Sequence, residues 1–318
     1  MNRIPAGPQY PAYLALSEEQ WEEKLQRSRE LASPCVLCGR QCQALRFKLP
    51  KSTGTAKWPA KGICETKDKA VVASAGPHFG EEPPLVGQRG SGTIFFTGCN
   101  LKCIFCQNYD IAHLHRGVEV SDEELSKLML RMQELGCHNV NLVSPTHVVP
   151  NIIAAVRLAT KRGLKIPLVY NTGGYDSVET IQVLDGIVDI YMPDMKYGEP
   201  EPAKEFSGVS AYPEINFAAV KEMHRQVGDL VIENNVAVRG LLVRHLVLPK
   251  GLAGTKKVME FLANEISRNT YVNIMAQYRP YFKAADHPLL GRRIKHAEYR
   301  QALEIAAEVG LTRVQALG

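Results

Sequence analysis

Short apolar runs alternate along the chain with longer stretches in which apolar residues recur every three or four positions, and this alternation begins at Gly92. A short apolar run is typical of a buried strand, whereas the longer spacing is typical of a helix that buries one face. Strands are predicted at residues 93–97, 140–144, 167–171, 188–192, 241–248 and 271–276. Helices are predicted at residues 121–136, 149–161, 177–184, 203–222, 255–267 and 296–310.

Six strand-then-helix units predict an α/β fold with a parallel sheet and right-handed crossovers. The order of the elements alone fits either a doubly wound sheet or an incomplete barrel. In both folds ligands gather at the carboxyl ends of the strands. The loop after each predicted strand is therefore where functional residues are expected.

The chain before Gly92 has a different character. Ser17 followed by Gln20 forms a capping-box pattern, which predicts a helix from there to about Ala32. A cysteine-rich stretch comes next, and residues 74–91, rich in Pro and Gly, are predicted to form a long ordered connector. We therefore predict three parts: an N-terminal helical extension (1–34), a cysteine-rich metal-binding segment (35–75) and a main domain (76–318).

Three cysteines follow the first predicted strand directly, at Cys99, Cys103 and Cys106. Four thiolates would saturate a [4Fe–4S] cluster, so a trio leaves one iron free for another ligand. Two other interpretations are partial zinc ligands and small buried apolar side chains. Zinc sites usually recruit a second pair of ligands further along, and the only cysteine after Cys106 is Cys137. The spacing therefore favours a cluster with an open position.

Four further cysteines form an earlier group. They are Cys35, Cys38, Cys42 and Cys64. Four thiolates that begin with a C-x2-C pair are a strong metal signal. Zinc prefers such closed sulfur sites, and an auxiliary [4Fe–4S] cluster would use the same four ligands. Both metals stay open.

Composition adds limits rather than a function. The 318 residues are 45% hydrophobic and 22% charged, as in ordinary globular proteins, and the net charge of +5 favours an acidic partner without naming one. No apolar run is long enough to span a membrane, and the N-terminus lacks a signal-peptide core, so we expect a cytoplasmic protein without membrane attachment. In a reducing compartment, seven of eight cysteines in two tight groups indicate metal rather than disulfides.

The motif C-x3-C-x2-C, with Phe105 before its last cysteine, resembles the signature of the radical S-adenosylmethionine (SAM) superfamily. In that superfamily the three thiolates hold a [4Fe–4S] cluster, and the amino and carboxylate groups of SAM bind the fourth iron. One-electron reduction then cleaves SAM and produces a 5′-deoxyadenosyl radical that abstracts a hydrogen atom. The resemblance implies a partial (β/α)6 TIM-like barrel with the cluster in the loop after its first strand.

The flanking sequence is similar to one branch of this superfamily. The segments HFGEEPP (78–84), GSGTIFF (90–96) and CNLKCIFCQN (99–108) resemble the PflX-like proteins, which are related to the pyruvate formate-lyase activating enzymes. The similarity runs from about Cys35 to the C-terminus. It implies a catalytic role for the cysteine trio and activation of a glycyl radical enzyme, or of another protein, as the nearest analogy. It also implies a one-electron donor such as flavodoxin or ferredoxin.

The resemblance further assigns residues to SAM. Asn171 and Thr172 begin a turn, N-T-G-G, that is similar to the one contacting the methionine end of SAM. Asp194 and Lys196 match a D-x-K motif whose lysine pairs with the SAM carboxylate and whose aspartate supports the pocket. Arg244 matches an arginine that approaches SAM. An ammonium near a carboxylate that binds iron is also what electrostatics favours.

One position departs from the family pattern. Residues 144–147 read Ser-Pro-Thr-His where activating enzymes carry a glutamate that receives the SAM amino group. Thr146 or a backbone carbonyl would have to accept that hydrogen bond, or His147 serves another purpose. His245 is expected to point to the opposite face of its strand from Arg244 and to be structural.

The leading hypothesis is thus a radical SAM enzyme. Two alternatives come from other classes: a metal-stabilised module that binds nucleic acid or protein, and a SAM-dependent methyltransferase without a cluster. The first would be complete in about fifty residues and needs no barrel. The second normally has a glycine-rich loop after its first strand, where this chain has cysteines instead.

Overall fold

A computed structural model describes residues 11–48 and 60–316. Its strands are β1 Ala70–His78, β2 Ser91–Phe96, β3 Val118–Val120, β4 Val140–Val143, β5 Leu168–Thr172, β6 Ile190–Pro193, β7 Val231–Glu233, β8 Val236–Leu246, β9 Tyr271–Met275 and β10 Arg313–Ala316. Its α-helices are α1 Glu18–Leu31, α2 Pro83–Val86, α3 Tyr109–Ala112, α4 Asp122–Glu134, α5 Val149–Thr160, α6 Val178–Val183, α7 Pro200–Ser207, α8 Tyr212–Val227, α9 Thr255–Phe261 and α10 His296–Glu308. A π-helical turn, Leu262–Ile266, extends α9.

All six predicted strands are present, as β2, β4, β5, β6, β8 and β9, and the parallel α/β sheet is confirmed. They are hydrogen-bonded to each other in the order in which they occur along the chain. A doubly wound sheet reverses its strand order at a switch point, and this sheet does not. The sequential order is consistent with the incomplete barrel, one of the two folds that the sequence left open.

The sheet curves round a central cavity lined by residues of β2, β4, β5, β8 and β9 and by Asp194, which directly follows β6. Across the opening β9 comes close to the segment between β1 and β2, because Asn273 on β9 donates from Nδ2 to Glu82 Oε1 at 3.2 Å. The carboxyl ends of the strands thus share one enclosed space.

The predicted connector at 74–91 is wrong over its first part. Residues Ala70–His78 form β1, which pairs antiparallel with β2 along most of its length. The strand contains Ala, Ser, Gly and Pro, and its buried and exposed positions alternate only over the first four residues. Its sequence therefore carries almost no strand signal, and long-range pairing with β2 supplies the stability instead.

A second difference concerns the predicted helix at 203–222, which is two helices. α7 ends at Gly208, whose φ of +68° is the left-handed conformation typical of a helix end, and α8 begins with a proline in its first turn. Both signals were visible in the sequence. The short strands β3, β7 and β10 at the edges of the sheet were also not predicted.

Helix α1 lies on the outside of the sheet and begins with the predicted capping box, in which Ser17 and Gln20 bond each other's backbone amides. Trp21 and Leu25 pack into the same hydrophobic core as the buried residues of α5. Arg157 of α5 also contacts Glu18 at 2.7 Å. The N-terminal extension is thereby fixed to the main fold. Within the described residues, no helix is both long and apolar enough to cross a lipid bilayer.

Candidate active site

One cavity of about 470 Å³ lies at the carboxyl ends of the parallel strands. It is lined by all eight residues that the sequence assigned to the cluster and to SAM: Cys99, Cys103, Cys106, Asn171, Thr172, Asp194, Lys196 and Arg244. These residues come from four different strand ends. Their convergence follows from the parallel sheet, because successive strands deliver their following loops to the same face.

The three cysteines lie on one wall of this cavity, in the loop that follows β2. The Leu101 amide lies 3.4 Å from Cys99 Sγ, and the Ser207 hydroxyl donates to Cys103 Sγ at 2.9 Å. Burial raises the pKa of Cys99 to about 11 and that of Cys106 to about 12, and it also raises the pKa of Cys103. Because burial opposes the thiolate, a positive metal centre must compensate for it when these residues act as ligands.

The spacing of the thiols bears on the kind of metal. Across residues 11–48 and 60–316, no three Cys, His, Asp or Glu side chains are placed to share one metal ion. A tetrahedral zinc site requires such sharing, with sulfur atoms about 3.8 Å apart at a Zn–S distance of about 2.3 Å. A [4Fe–4S] cluster does not, because each thiolate binds a different iron. This holds for the trio and for the four earlier cysteines alike, so in this structure neither group is arranged around a single zinc ion. The trio, with its donors to sulfur, is compatible with a cluster.

A chain of buried charges extends from the cysteines across the cavity. Lys196 Nζ donates to Asp194 Oδ2 at 2.5 Å, and Arg244 Nε donates to Asp194 Oδ1 at 2.8 Å. Arg244 also donates to Asn171 Oδ1 at 2.8 Å. Burial opposes the charge on Asp194, but Arg244 and Lys196 outweigh it and lower the pKa of that carboxyl. Lys196 lies close to Cys99, Cys103 and Cys106. Its positive charge opposes, without cancelling, the rise that burial causes in the pKa of these three thiols.

A layer of uncharged groups, which the sequence analysis did not identify, holds these charged side chains in place. The Tyr212 hydroxyl bridges the carbonyl oxygens of Gly173 and Asp194 and accepts the Lys196 amide at 3.0 Å. Asn216 Nδ2 donates to the same Asp194 oxygen and to Gly174. A Cβ on Gly174 would lie 2.2 Å from Asn216 Nδ2, and its φ is +75°. This glycine is required by packing against Asn216 rather than by approach to a ligand.

The loop after β4 contains residues 144–147, Ser-Pro-Thr-His, which depart from the family pattern. Thr146 Oγ1 pairs with Thr172 Oγ1 at 3.2 Å, and Thr172 donates to the buried Asp176 at 2.7 Å. His147 Nε2 donates to the Thr97 carbonyl at 2.8 Å, two residues before Cys99. Burial lowers the pKa of His147 to about 3, so the ring is neutral. These side chains are engaged within the protein, and His147 supports the start of the cysteine loop.

His245 has the structural position that the sequence predicted. It is fully buried, and its ring lies between the Met195 carbonyl at 2.7 Å and the Thr255 hydroxyl at 2.9 Å. Its neighbour Arg244 faces the cavity, as alternation along a strand requires.

Two glutamates in the cavity were given no role by the sequence analysis, although they belong to the HFGEEPP segment. Glu81 lies within 3.5 Å of Asn171 Nδ2, and Glu82 accepts from Asn273 and lies 3.9 Å from Arg244. Burial raises the pKa of Glu81. The available signal was a pair of acidic residues in a Pro- and Gly-rich stretch, which reads as an exposed turn.

The earlier cysteine group lies outside the cavity but beside the cysteine loop. A Cβ on Gly62 would lie 3.3 Å from Sγ of both Cys42 and Cys64. Burial raises the pKa of Cys38, and Cys35 and Cys64 lie near enough to add to that rise. The fully buried Arg46 lies next to Cys35 and lowers its pKa against the effect of burial. Within the described part of the chain Arg46 has no carboxylate partner, and its Nη1 is buried without a hydrogen bond.

Comparison with known proteins identifies the domain that builds the cavity. Residues 93–247 match the family model described as the radical SAM superfamily. The chain contains a radical SAM domain. The radical SAM domain covers the cysteine trio and all five residues assigned to SAM, from β2 to just beyond β8. A radical SAM domain implies an iron–sulfur enzyme that uses a [4Fe–4S] cluster and SAM.

A relative and two solved structures extend this comparison. The chain is 30% identical over 298 residues to "Uncharacterized protein MJ0674" of Methanocaldococcus jannaschii, covering 91% of this chain and 78% of the relative, and it belongs to the same family. The radical SAM chain is 14% identical to Streptococcus suis SuiB bound to precursor peptide SuiA, with a TM-score of 0.45, covering 66% of this chain and 43% of SuiB. It is 12% identical to HydG, a maturase of the [FeFe]-hydrogenase, with a TM-score of 0.45, covering 67% of this chain and 48% of HydG. This chain thus spans less than half of each solved chain.

Proposed function

We propose that this radical SAM enzyme holds its [4Fe–4S] cluster on Cys99, Cys103 and Cys106 and abstracts a hydrogen atom from a substrate bound in the cavity. The observation that carries the proposal is the position of three thiols on one cavity wall, with Lys196 close to all of them. The sequential order of six parallel strands round the cavity supports a partial (β/α)6 barrel as its frame.

The protein's own residues position SAM. The ammonium group of Lys196 binds the SAM carboxylate, and Asp194 holds Lys196 and Arg244 at fixed positions through its two oxygens. Asn171 fixes Arg244 from the other side. When bound, the cluster supplies the electron that cleaves SAM, and this cleavage provides the oxidising power for hydrogen abstraction. Because these groups are buried, they bind SAM away from bulk water.

A glycyl radical enzyme is the substrate that the resemblance to activating enzymes favours, and other proteins or small molecules remain within this proposal. A flavodoxin or ferredoxin is the proposed electron donor, and the net charge of +5 supports association with such acidic proteins. We retain the cytoplasmic location as a prediction, since thiolate ligands require a reducing compartment.

We also propose a second metal centre on Cys35, Cys38, Cys42 and Cys64. The unpaired buried charge of Arg46 beside Cys35 supports it, because a buried guanidinium requires a negative partner, and thiolates that bind a metal would supply one.

The proposal is tested by anaerobic reconstitution with iron and sulfide, followed by addition of SAM and dithionite. We expect 5′-deoxyadenosine and methionine from the parent protein and none from Cys99→Ala. Equal SAM cleavage by Cys99→Ala would refute the assignment of the trio. Cys137→Ala, which changes a buried cysteine outside both groups, is the matched control and should retain cleavage.

A further inference from the structure

Glu81 and Glu82 line the cavity beside Asn171 and Arg244. Glu81 lies within 3.5 Å of Asn171 Nδ2, and Glu82 lies 3.9 Å from Arg244. Asp194 connects Arg244 to Lys196, the cation that lies near the cysteines. In this series of contacts Lys196 is at the cysteine end, and the two glutamates come after Arg244. The two glutamates, with Asn273, form what we call the cavity floor.

The cavity floor offers hydrogen-bond acceptors that have no donor. The Glu82 side chain is only 5% exposed, and its Oε2 is buried without a partner among the described residues. Asn273 directs its amide nitrogen to Glu82 Oε1, which leaves its Oδ1 as an acceptor, and that atom is also buried and unpartnered in the described part of the chain. Buried polar atoms without a hydrogen-bond partner are destabilising, so a bound ligand is expected to satisfy them.

The cavity holds three buried carboxyl groups, on Glu81, Glu82 and Asp194, but only two buried cations, on Lys196 and Arg244. Burial raises the pKa of Glu81, and a cation bound beside it would favour its ionised form. Arg244 is already engaged at 2.8 Å by Asp194 and Asn171, and it lies 3.9 Å from Glu82. The other ionisable cavity residues do little to neutralise the charge of the buried carboxylates. His78, 3.4 Å from Glu81, is 45% exposed, Arg279 is at the exposed rim, and His147 is neutral.

We propose that the cavity floor binds a cationic nitrogen group, an ammonium or a guanidinium, carried by the molecule that donates the hydrogen atom. Such a group supplies N–H donors to Glu82 Oε2 and Asn273 Oδ1 and neutralises the charge of the buried carboxylates. The inference rests on the proposed function, which places SAM at the cysteine end.

The test uses the anaerobically reconstituted protein with SAM and measures binding of small probes by ligand-observed NMR. Butylammonium and butylguanidinium carry the proposed group, and butanol and butyrate are the neutral and anionic comparisons. We expect saturable binding of the two cations alone, weakened at least tenfold by Glu82→Gln. Glu119→Gln, at an exposed position on β3, is the matched control and should change the affinity less than twofold.

A third set of probes distinguishes a small-molecule substrate from a peptide. The blocked peptide acetyl-Gly-Lys-Gly-amide presents the same ammonium on a side chain. Tighter binding of the peptide than of butylammonium identifies a peptide as the source of the cation, and binding of butylammonium alone identifies a small molecule.

Three results would overturn the inference: equal binding of butanol, unchanged cation affinity in Glu82→Gln, or no cation binding by folded protein. Glu81→Gln removes the second carboxylate and serves if Glu82→Gln does not fold. SAM binding is measured in the same samples. Loss of SAM binding with intact cation binding would count against the proposed function, whereas the reverse would count against the cavity floor.

Discussion

The two cysteine groups of this chain have opposite surroundings. Cys99, Cys103 and Cys106 face a cavity of about 470 Å³ and are accompanied by Lys196, whereas none of the four earlier cysteines lines that cavity. The earlier group is enclosed by its own segment, with Gly62 packed between the thiols of Cys42 and Cys64. An open coordination position is useful only where a substrate can reach it, so the first group is suited to reaction and the second to holding structure.

The two groups are nevertheless in direct contact through the backbone. Arg40, between the second and third cysteines of the earlier group, donates to the Asn100 carbonyl at 2.8 Å and to Gly208 at 2.7 Å. A Cβ on Gly98 would lie 2.5 Å from the Cys64 carbonyl oxygen. The earlier group therefore forms part of the wall that supports the cysteine loop. The comparison indicates that cysteines that line a cavity are suited to reaction, whereas cysteines enclosed by their own segment are suited to supporting the structure.

The largest expected effect comes from breaking the reactive group. Cys103→Ala should reduce SAM cleavage to the rate without enzyme, because it removes one of three ligands and the acceptor of the Ser207 hydrogen bond. Metal analysis of the same protein should show loss of about four irons, with the metal of the earlier group retained. Loss of both metals together would show that the two groups are not separate centres.

Removing the charge beside the cysteines should weaken SAM binding by about 10- to 100-fold. Lys196→Met retains the length of the side chain but cannot pair with the SAM carboxylate. Equilibrium binding of SAM to the reconstituted protein measures the effect. Lys257→Met, which breaks an exposed pair with Glu199, is the matched control, and an equal loss there would contradict the role of Lys196.

Removing a ligand of the earlier group should act on stability first. Cys35→Ala is expected to lower the melting temperature by about 5–10 °C, since the buried Arg46 then loses part of its negative partner. Counting iron and zinc before and after the substitution identifies the metal. A protein that keeps its stability but loses SAM cleavage would reverse our assignment of the two groups.

A smaller effect is expected from the contact between the groups. Arg40→Lys cannot reach the three carbonyl oxygens that the guanidinium bonds, which belong to Asn100, Ser207 and Gly208. We expect faster loss of iron from the trio on exposure to a chelator and a melting temperature lower by about 2–4 °C. Unchanged iron loss would show that the earlier group does not support the cysteine loop.

The smallest expected effect is a change in pH dependence. The pKa of His147 is about 3 in the folded protein, below its ordinary value, so between pH 6.5 and 3 the unfolded chain binds more protons. Stability should therefore fall as the pH drops below 6.5. His147→Gln retains a donor for Thr97 and should reduce this fall in urea unfolding measured at pH 7 and pH 5.5. His296→Gln, at an exposed position, should leave the fall unchanged.

The sequence predicted the six parallel strands well, because each is a short apolar run bounded by polar loops, and parallel order places their ends together. The resemblance assigned Lys196 and Arg244 to the SAM site, and both line the cavity. The sequence analysis missed β1, because small residues give no periodic signal, and it missed Tyr212 and Asn216, which reach the site from a helix distant in sequence. Glu81 and Glu82 were missed because their burial depends on a strand that was itself not predicted.

The central claim is that the cysteine trio leaves one iron open to SAM. Electron paramagnetic resonance of the reduced cluster, in Cys35→Ala protein in which the proposed second centre is disrupted, tests this most directly. We predict that added SAM shifts the g-values of the signal and that Lys196→Met raises the SAM concentration needed for the shift. A spectrum that saturating SAM leaves unchanged would contradict the account.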